Sequence, residues 1–277
     1  MGIKNKVRKM IKLMNSKEKI AIPTLCGVEE LLVGRTALIT GGSSGIGFSI
    51  AKKFLSAGCK VIIAGTNGDK LKKCSDTLNN SRLKTIIIDL NCINTLNDKI
   101  KSASELFDSN GIDILVNCAG YNPKKTFFEI NEADYDKTMD VNVKGTFFMC
   151  QAIANYMIQN KIQGHILNLS SSSALRPAWS PYEMSKWTIK GFTVGLADSL
   201  LPYGIVVNAI APGPTATPML GVAEDGDLDL QSSPIGRFAT PDEIATLALI
   251  LVSDLGSLVI GDTLYASGGS GVISLHR

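Results

Sequence analysis

From Gly34 onward, short runs of β-branched and aliphatic residues alternate with longer stretches whose apolar positions recur every three or four residues. Period two suits a strand and period 3.6 a helix, so the alternation predicts a parallel sheet wrapped by helices. The predicted strands are Thr36–Thr40, Lys60–Ala64, Lys84–Asp89, Ile112–Asn117, Gly164–Leu169, Ile205–Ile210 and Thr263–Ala266. Helices are predicted to begin near Gly45, Asp69, Asn94, Glu132, Pro181 and Pro241, with long ones including 132–160 and 181–200. The last start is marked by Thr240-Pro241-Asp242-Glu243, a cap followed by proline and two acids. No repeat, linker or low-complexity block divides the pattern, which reads as one α/β domain, a doubly wound parallel seven-stranded sheet over residues 34–277, behind an extension of residues 1–33.

Composition narrows the setting. A chain of 277 residues that is 45% hydrophobic and 19% charged can bury one substantial core. No segment reaches the roughly 18 uninterrupted apolar residues of a membrane span, and the N-terminus lacks a signal peptide's apolar core; the expectation is a cytoplasmic protein. The six cysteines stand singly, without C-x-x-C spacing, and His165 and His276 sit in no metal-ligand motif, which argues against a metal site.

Charge is concentrated at one end. Residues 1–20 carry seven basic side chains against Glu18, a net +6, so that the overall +3 leaves −3 for the remainder. The body therefore lacks the basic balance of a nucleic-acid binder. Within the tail, Ile3, Val7, Met10, Ile11 and Met14 recur at helical spacing between lysines, the pattern of a basic amphipathic helix that could rest on an anionic membrane or a partner, or simply pack as an extension.

The first predicted strand runs into Thr40-Gly41-Gly42-Ser43-Ser44-Gly45-Ile46-Gly47 and then an apolar helical pattern through Ile50, Ala51 and Phe54. Glycines between strand and helix permit a tight turn and let the backbone approach a pyrophosphate, whose charge the helix N-terminus holds. The same stretch contains Gly41-x-Ser43-x-Gly45, the nucleophile elbow of a serine hydrolase. That alternative requires an acid and a supported histidine; His165 would open a strand and His276 is the penultimate residue.

About twenty residues past such a loop, an acid would bind the ribose 2′-hydroxyl of NAD. Here the chain reads Ala64-Gly65-Thr66-Asn67. With no acid to repel a 2′-phosphate, and no basic residue to attract one, the reading leans toward NADP(H) over NAD(H). Asp89 and Asn117-Cys118-Ala119-Gly120 end two further strands, where ligands of α/β sheets bind. Tyr182 and Lys186 lie one helical turn apart and share a face, so an ammonium can favour an ionised phenol and suit it to proton transfer near neutral pH. The serine run Ser170–Ser173 precedes them.

These features occur in an order that resembles the short-chain dehydrogenase/reductase family: Thr-Gly-x-x-x-Gly-x-Gly at 40–47, Asp89, Asn-x-Ala-Gly at 117–120, Asp140-Val141-Asn142-Val143, Asn168-Leu169-Ser170-Ser171, Tyr-x-x-x-Lys at 182–186, and Asn208 through Pro212-Gly213. The resemblance covers roughly 34–270. It implies a Rossmann-like fold and an NAD(P)(H)-dependent oxidoreductase that interconverts a ketone or aldehyde and an alcohol. It further implies that Gly41, Ser43, Gly45, Ile46 and Gly47 cradle the dinucleotide, that Thr66, Asp89 and Leu90 border its adenosine end, and that Asn117, Ala119 and Gly120 line the cleft. Pro212, Gly213, Thr215 and Thr217 would flank the nicotinamide. Tyr182 would be the general acid/base, Lys186 would lower its pKa and bind the ribose, and Asn142 would anchor a relay water.

The family pattern selects Ser171 to polarise the carbonyl, although its spacing to Tyr182 is two residues shorter than usual, so Ser170 and Ser172 stay open as substitutes. Arg176, Pro177 and Trp179 occupy this trimmed loop, and the segment 216–231 after the Pro-Gly turn lies where the family has a lid over its small-molecule substrate, with a solvated loop as the alternative. The resemblance also implies a homotetramer or homodimer built around the long helices. A dinucleotide-binding regulatory protein without catalysis is the remaining alternative to an enzyme.

Overall fold

The computed structural model describes residues 27–107, 111–222 and 226–274. The amphipathic tail of residues 1–20, Cys26 and His276 lie outside the described residues. The strands are β1 (Thr36–Thr40), β2 (Lys60–Gly65), β3 (Leu83–Ile87), β4 (Ile114–Asn117), β5 (His165–Leu169), β6 (Val206–Pro212) and β7 (Thr263–Ala266). They form one parallel sheet in the order β3-β2-β1-β4-β5-β6-β7. The chain winds outward from β1 through β2 to β3, then returns to the far side of β1 with β4. The carboxyl ends of β1 and β4 therefore flank the point where winding reverses, the position at which such sheets open a crevice for ligands.

The helices are α1 (Gly45–Ser56), α2 (Gly68–Leu78), α3 (Leu96–Ser104), α4 (Glu132–Met139), α5 (Thr146–Gln159), α6 (Pro181–Leu200) and α7 (Pro241–Val252). Because strand side chains alternate between faces, β1 and β2 divide their residues between two cores. Ala37, Ile39, Val61 and Ile63 pack with Ile50 and Phe54 of α1 and Ile244 and Ala248 of α7. Leu38, Ile62 and Ala64 pack with Ile100 of α3, Met149 and Ile153 of α5 and Leu200 of α6. Leu32, in the sequence-defined extension, is buried in the first of these cores and its amide donates to the Ala57 carbonyl at 2.9 Å.

Two expectations change. Asp89 does not end β3, which stops at Ile87; Ile88 still donates to the Gly65 carbonyl at 3.1 Å, and Asp89 instead forms a turn by accepting from the Asn91 amide at 2.9 Å. The long helix expected over 132–160 is interrupted by a π-helical turn, Asp140–Gly145, between α4 and α5. Asn142 sits in that turn, with Oδ1 accepting from the Tyr121 amide at 2.7 Å and Nδ2 donating to the Tyr121 carbonyl at 2.9 Å. Gly145, which closes the turn, lies so near Leu90 that a Cβ would come within 2.6 Å of the Leu90 Cβ. A wider turn thus swings one amide out of regular α register and onto the loop after β4.

Candidate active site

Thr40 ties the two sheet ends at the crevice. Its hydroxyl accepts from the amides of Cys118 and Ala119, each at 3.2 Å, and donates to the Val116 carbonyl at 3.4 Å. Gly41 then turns with φ +65°, and a Cβ there would lie 2.8 Å from the Ala119 backbone; a Cβ on Gly47 would lie 2.4 Å from the Gly41 carbonyl oxygen. Only glycine fits either approach. The loop delivers the chain to the N-terminus of α1, whose N-cap Ser44 makes no side-chain capping bond and whose first turn carries no acid. Uncapped amides and a positive dipole end favour a phosphate there. Gly45 faces Thr217, whose Cγ2 lies 3.2 Å from the position of a Gly45 Cβ.

At the other end of the crevice, Thr66 is exposed just beyond β2, and Asn67 caps α2 by accepting from the Lys70 amide at 2.9 Å. Asp89 is half-buried and Leu90 buried. Cys74 of α2 donates its thiol to the Ser43 carbonyl at 3.2 Å, bracing the glycine loop from below. Asn117 is buried between strands: its Nδ2 donates to Asn168 Oδ1 at 2.9 Å and to Cys150 Sγ at 3.1 Å. It supports the floor rather than lining the crevice.

The helix bearing Tyr182 and Lys186 starts at a well-defined cap, where Ser180 accepts from the Tyr182 amide at 3.2 Å and Pro181 occupies the first position. Lys186 is buried, and its Nζ donates to the Leu169 carbonyl at 2.8 Å while sitting 5.5 Å from the Tyr182 ring centroid. Burial depresses its ammonium to about 8, opposed by the neighbouring Cys118. The Tyr182 phenol moves up from its ordinary value, because burial and the Glu183 charge outweigh a hydrogen bond with the Ser171 hydroxyl that pulls it down. The bond to Leu169 uses one of the three donors of the Lys186 ammonium.

The serine run separates into distinct roles. Ser171 lines the cleft with Tyr182 and accepts from the Ser173 amide at 3.1 Å. Ser170 donates to the Lys186 carbonyl at 3.0 Å, and Ser172 is buried. The trimmed loop thus still carries Ser171 to the tyrosine. Asn142 joins this group through Ser185, to whose hydroxyl it donates at 3.0 Å, and Ser185 donates to the Tyr182 carbonyl at 2.6 Å. A Cβ on Gly120 would stand 3.5 Å from Asn142 Oδ1 and 3.8 Å from Lys186 Nζ, so the three meet in one corner.

These groups open on a cleft of about 260 Å³ lined by Ile46, Cys118, Gly120, Ser171, Tyr182 and Lys186 on one side and by Pro212, Gly213, Thr215 and Thr217 on the other. Thr215 and Thr217 are buried. Met219 and Leu220 line the same cleft, and the segment carrying them is pinned where Thr215 pairs with Ala239 and Asp229 with Arg237. Sequence reading did not single out Asn122, Ser185 or Ser270; only the Gly268-Gly269-Ser270-Gly271 run after β7, with positive φ at all three glycines, signalled a special turn.

Among the described residues the hydrolase alternative finds no supporting geometry. Ser43 follows the carboxyl end of β1, whereas His165 opens β5, aligned with Ile114 at the opposite end of the sheet. Roughly 16 Å of strand separates the two levels. His165 is also buried and pushed down to about 4.

Comparison with known proteins bears on the same stretch of chain. A family model described as enoyl-(acyl carrier protein) reductase matches residues 41–271. A 3-oxoacyl-[acyl-carrier-protein] reductase of Aquifex aeolicus (strain VF5) is 34% identical over 87% of this chain and 99% of its own length. Gluconate 5-dehydrogenase of Gluconobacter oxydans (strain 621H) is 33% identical over 86% and 95%. Among solved structures, a 3-ketoacyl-(acyl-carrier-protein) reductase from Brucella melitensis complexed with NADH superposes with a TM-score of 0.79 at 28% identity, covering 87% of this chain and 99% of that one. A gluconate 5-dehydrogenase from Burkholderia cenocepacia J2315 in complex with NADP and tartrate gives 0.78 at 29% identity, covering 87% and 97%.

Proposed function

We propose, for a chain that belongs to the short-chain dehydrogenase/reductase family and is a nicotinamide-dependent oxidoreductase, that Tyr182, Ser171, Lys186 and Asn142 are its proton-transfer machinery. The observation that carries the reading is a single cleft lined by Ser171, Tyr182 and the buried Lys186 together with Ile46 of the uncapped first turn of α1.

The residues present suit a dinucleotide: Gly41 and Gly47 let the loop close tightly on Ala119 and on itself, and it delivers the chain to the α1 N-terminus, whose first turn has no side-chain cap and no acid. Gly41, Ser43, Gly45, Ile46 and Gly47 hold the pyrophosphate end, Thr66, Asp89 and Leu90 border the adenosine, and Ala119, Gly120, Pro212, Gly213, Thr215 and Thr217 surround the nicotinamide, with Asn117 supporting that wall. When bound, the cofactor supplies the hydride exchanged with the carbonyl carbon. Ser171 then donates to the carbonyl oxygen and holds it toward the phenol. Tyr182 gives its proton to that oxygen as the alcohol forms, or takes it in the reverse direction. Lys186 holds the ribose and places positive charge beneath the phenol, and Asn142 anchors the water that resupplies the proton. Preorganised donors aimed at the developing charge are worth most in such a water-poor corner.

The absence of an acid at Thr66 and Asn67 supports NADP(H) over NAD(H). A homodimer or homotetramer is inferred from the outer faces of α4, α5 and α6, where Tyr135, Phe147, Trp187 and Val194 are exposed. No helix among the described residues is long and apolar enough to cross a membrane.

The test is Tyr182→Phe, assayed at the nicotinamide absorbance over ketones and alcohols that include acyl thioesters and sugar acids, with NADPH and NADH titrated separately. Loss of turnover with cofactor binding retained supports the reading. Full activity in Y182F sinks it. Tight binding without turnover in the wild type favours the regulatory alternative.

A further inference from the structure

The loop between Ser171 and Tyr182 places a guanidinium in the cleft that the proton-transfer scheme does not use. Arg176 lines the same wall as Ser171, Ser173 and Tyr182. Its one hydrogen bond is from Nη2 to the Ser270 hydroxyl at 2.6 Å, a neutral partner that also lines the cleft. Among the described residues no carboxylate lies within ion-pair distance of it. Glu183 lines the cleft too, but its Oε2 is taken by the Ser180 hydroxyl at the start of α6. A guanidinium carries five donors in a planar fork, so most of this one remains open, on an exposed residue at the cleft lining.

Its position is built rather than incidental. The Trp187 indole donates to the Arg176 carbonyl at 3.0 Å. A Cβ on Gly271 would meet the Ser172 carbonyl at 3.1 Å, Leu175 at 3.3 Å and Arg176 Nε at 3.5 Å, so the turn after β7 packs directly on this loop. Pro177 follows and holds Arg176 in its extended conformation, φ −114° and ψ 161°. A cation fixed before the ligand arrives loses little freedom on binding.

We infer that Arg176, steadied by Ser270, recognises a carboxylate on the substrate and makes this oxidoreductase selective for hydroxy or keto acids. The fork geometry matches a carboxylate through two parallel bonds, and a cleft of about 260 Å³ that also admits the nicotinamide end favours a small acid. The inference rests on the oxidoreductase reading above and names the substrate class of that same site.

The experiment compares small keto acids with their methyl esters as substrates, in the wild type and in Arg176→Met, Arg176→Lys and Ser270→Ala. In parallel, succinate and its diamide are compared for their shift of thermal unfolding in the presence of NADP(H). A charge-assisted pair contributes about 1.5–3 kcal/mol, so kcat/KM for acids should fall roughly 10- to 100-fold in R176M while esters change less than about threefold. R176K should recover part of the preference, because charge persists without the fork, and S270A should retain it, because the cation persists without the strap. Succinate should raise the melting temperature of the wild type but not of R176M, and the diamide should do neither. Equal use of acid and ester by the wild type, or an equal loss of both in R176M, overturns the inference and leaves the oxidoreductase reading standing. If no ketone is turned over, that reading fails instead, and the succinate comparison still decides whether Arg176 holds a carboxylate.

Discussion

Lys186 Nζ donates to the Leu169 carbonyl at 2.8 Å and reaches no closer than 5.5 Å to the Tyr182 ring centroid. The carbonyl belongs to the last residue of β5, and the lysine to the second turn of α6, so one bond locks the proton-transfer helix to the sheet end that carries Ser171. The same bond uses one of the ammonium's three donors and holds its charge over the Tyr182 ring.

The pH dependence of cofactor binding follows from that burial. The Lys186 ammonium, depressed to about 8, loses its proton as pH rises through that value, and with it the charge that would hold the ribose. Affinity for NADP(H), measured by fluorescence titration from pH 6 to 10, should decline above about pH 8. In Lys186→Arg the decline should move beyond pH 10. For stability the sign is opposite: the unfolded lysine binds its proton up to its ordinary value, so this group adds stability as pH rises between the two values.

Serine roles can be separated by substitution. Ser171→Ala removes a hydroxyl that lines the cleft with Tyr182 and should lower kcat by about 100-fold, the usual effect of deleting one donor at a developing oxyanion. Ser172→Ala removes a buried hydroxyl elsewhere in the serine run and should change kcat by less than about threefold. A larger loss in the second variant would reassign the polarising serine.

Gly41→Ala should abolish dinucleotide binding. The added methyl meets the Ala119 backbone at 2.8 Å with φ at +65°, so neither the loop nor the β4 end can stay in place. Isothermal titration should show no saturable binding by a variant whose circular dichroism keeps its helical content.

His165 should make the fold sensitive to acid. Its imidazole is pushed down to about 4, first by burial and then by Arg35, while the unfolded chain takes up a proton near the ordinary value of 6.5. Stability therefore falls as pH drops through that window, by on the order of 3 kcal/mol if fully expressed. Asp113, raised by burial on the same side of the sheet, opposes part of the slope. Denaturant unfolding at pH 7, 6 and 5 should give a shallower decline in His165→Leu than in the wild type.

Much of this architecture is written in local pattern. All seven strands and the sequence positions of α1, α6 and α7 follow from side-chain period and from caps such as Thr240 and Ser180, whose effects act within a turn of the chain. The glycine loop is equally legible from its spacing between strand and helix, although the Ala119 backbone that excludes a Cβ at Gly41 comes from a distant segment. Strand ends are less so: β6 runs on through Pro212 because β7 pairs with it, a partner 54 residues away in sequence.

By itself, the sequence determined which residue types are available at the crevice and the order in which they arrive, since periodicity, capping and glycine spacing are short-range properties. Tertiary structure decided how they are used. Whether Lys186 faces a phenol or a carbonyl, which of three serines reaches Tyr182, why a π turn carries Asn142, and how Arg176 comes to rest on Ser270 across 94 residues all depend on burial and on contacts between distant segments. Those are set by packing against the whole fold, which no local pattern encodes.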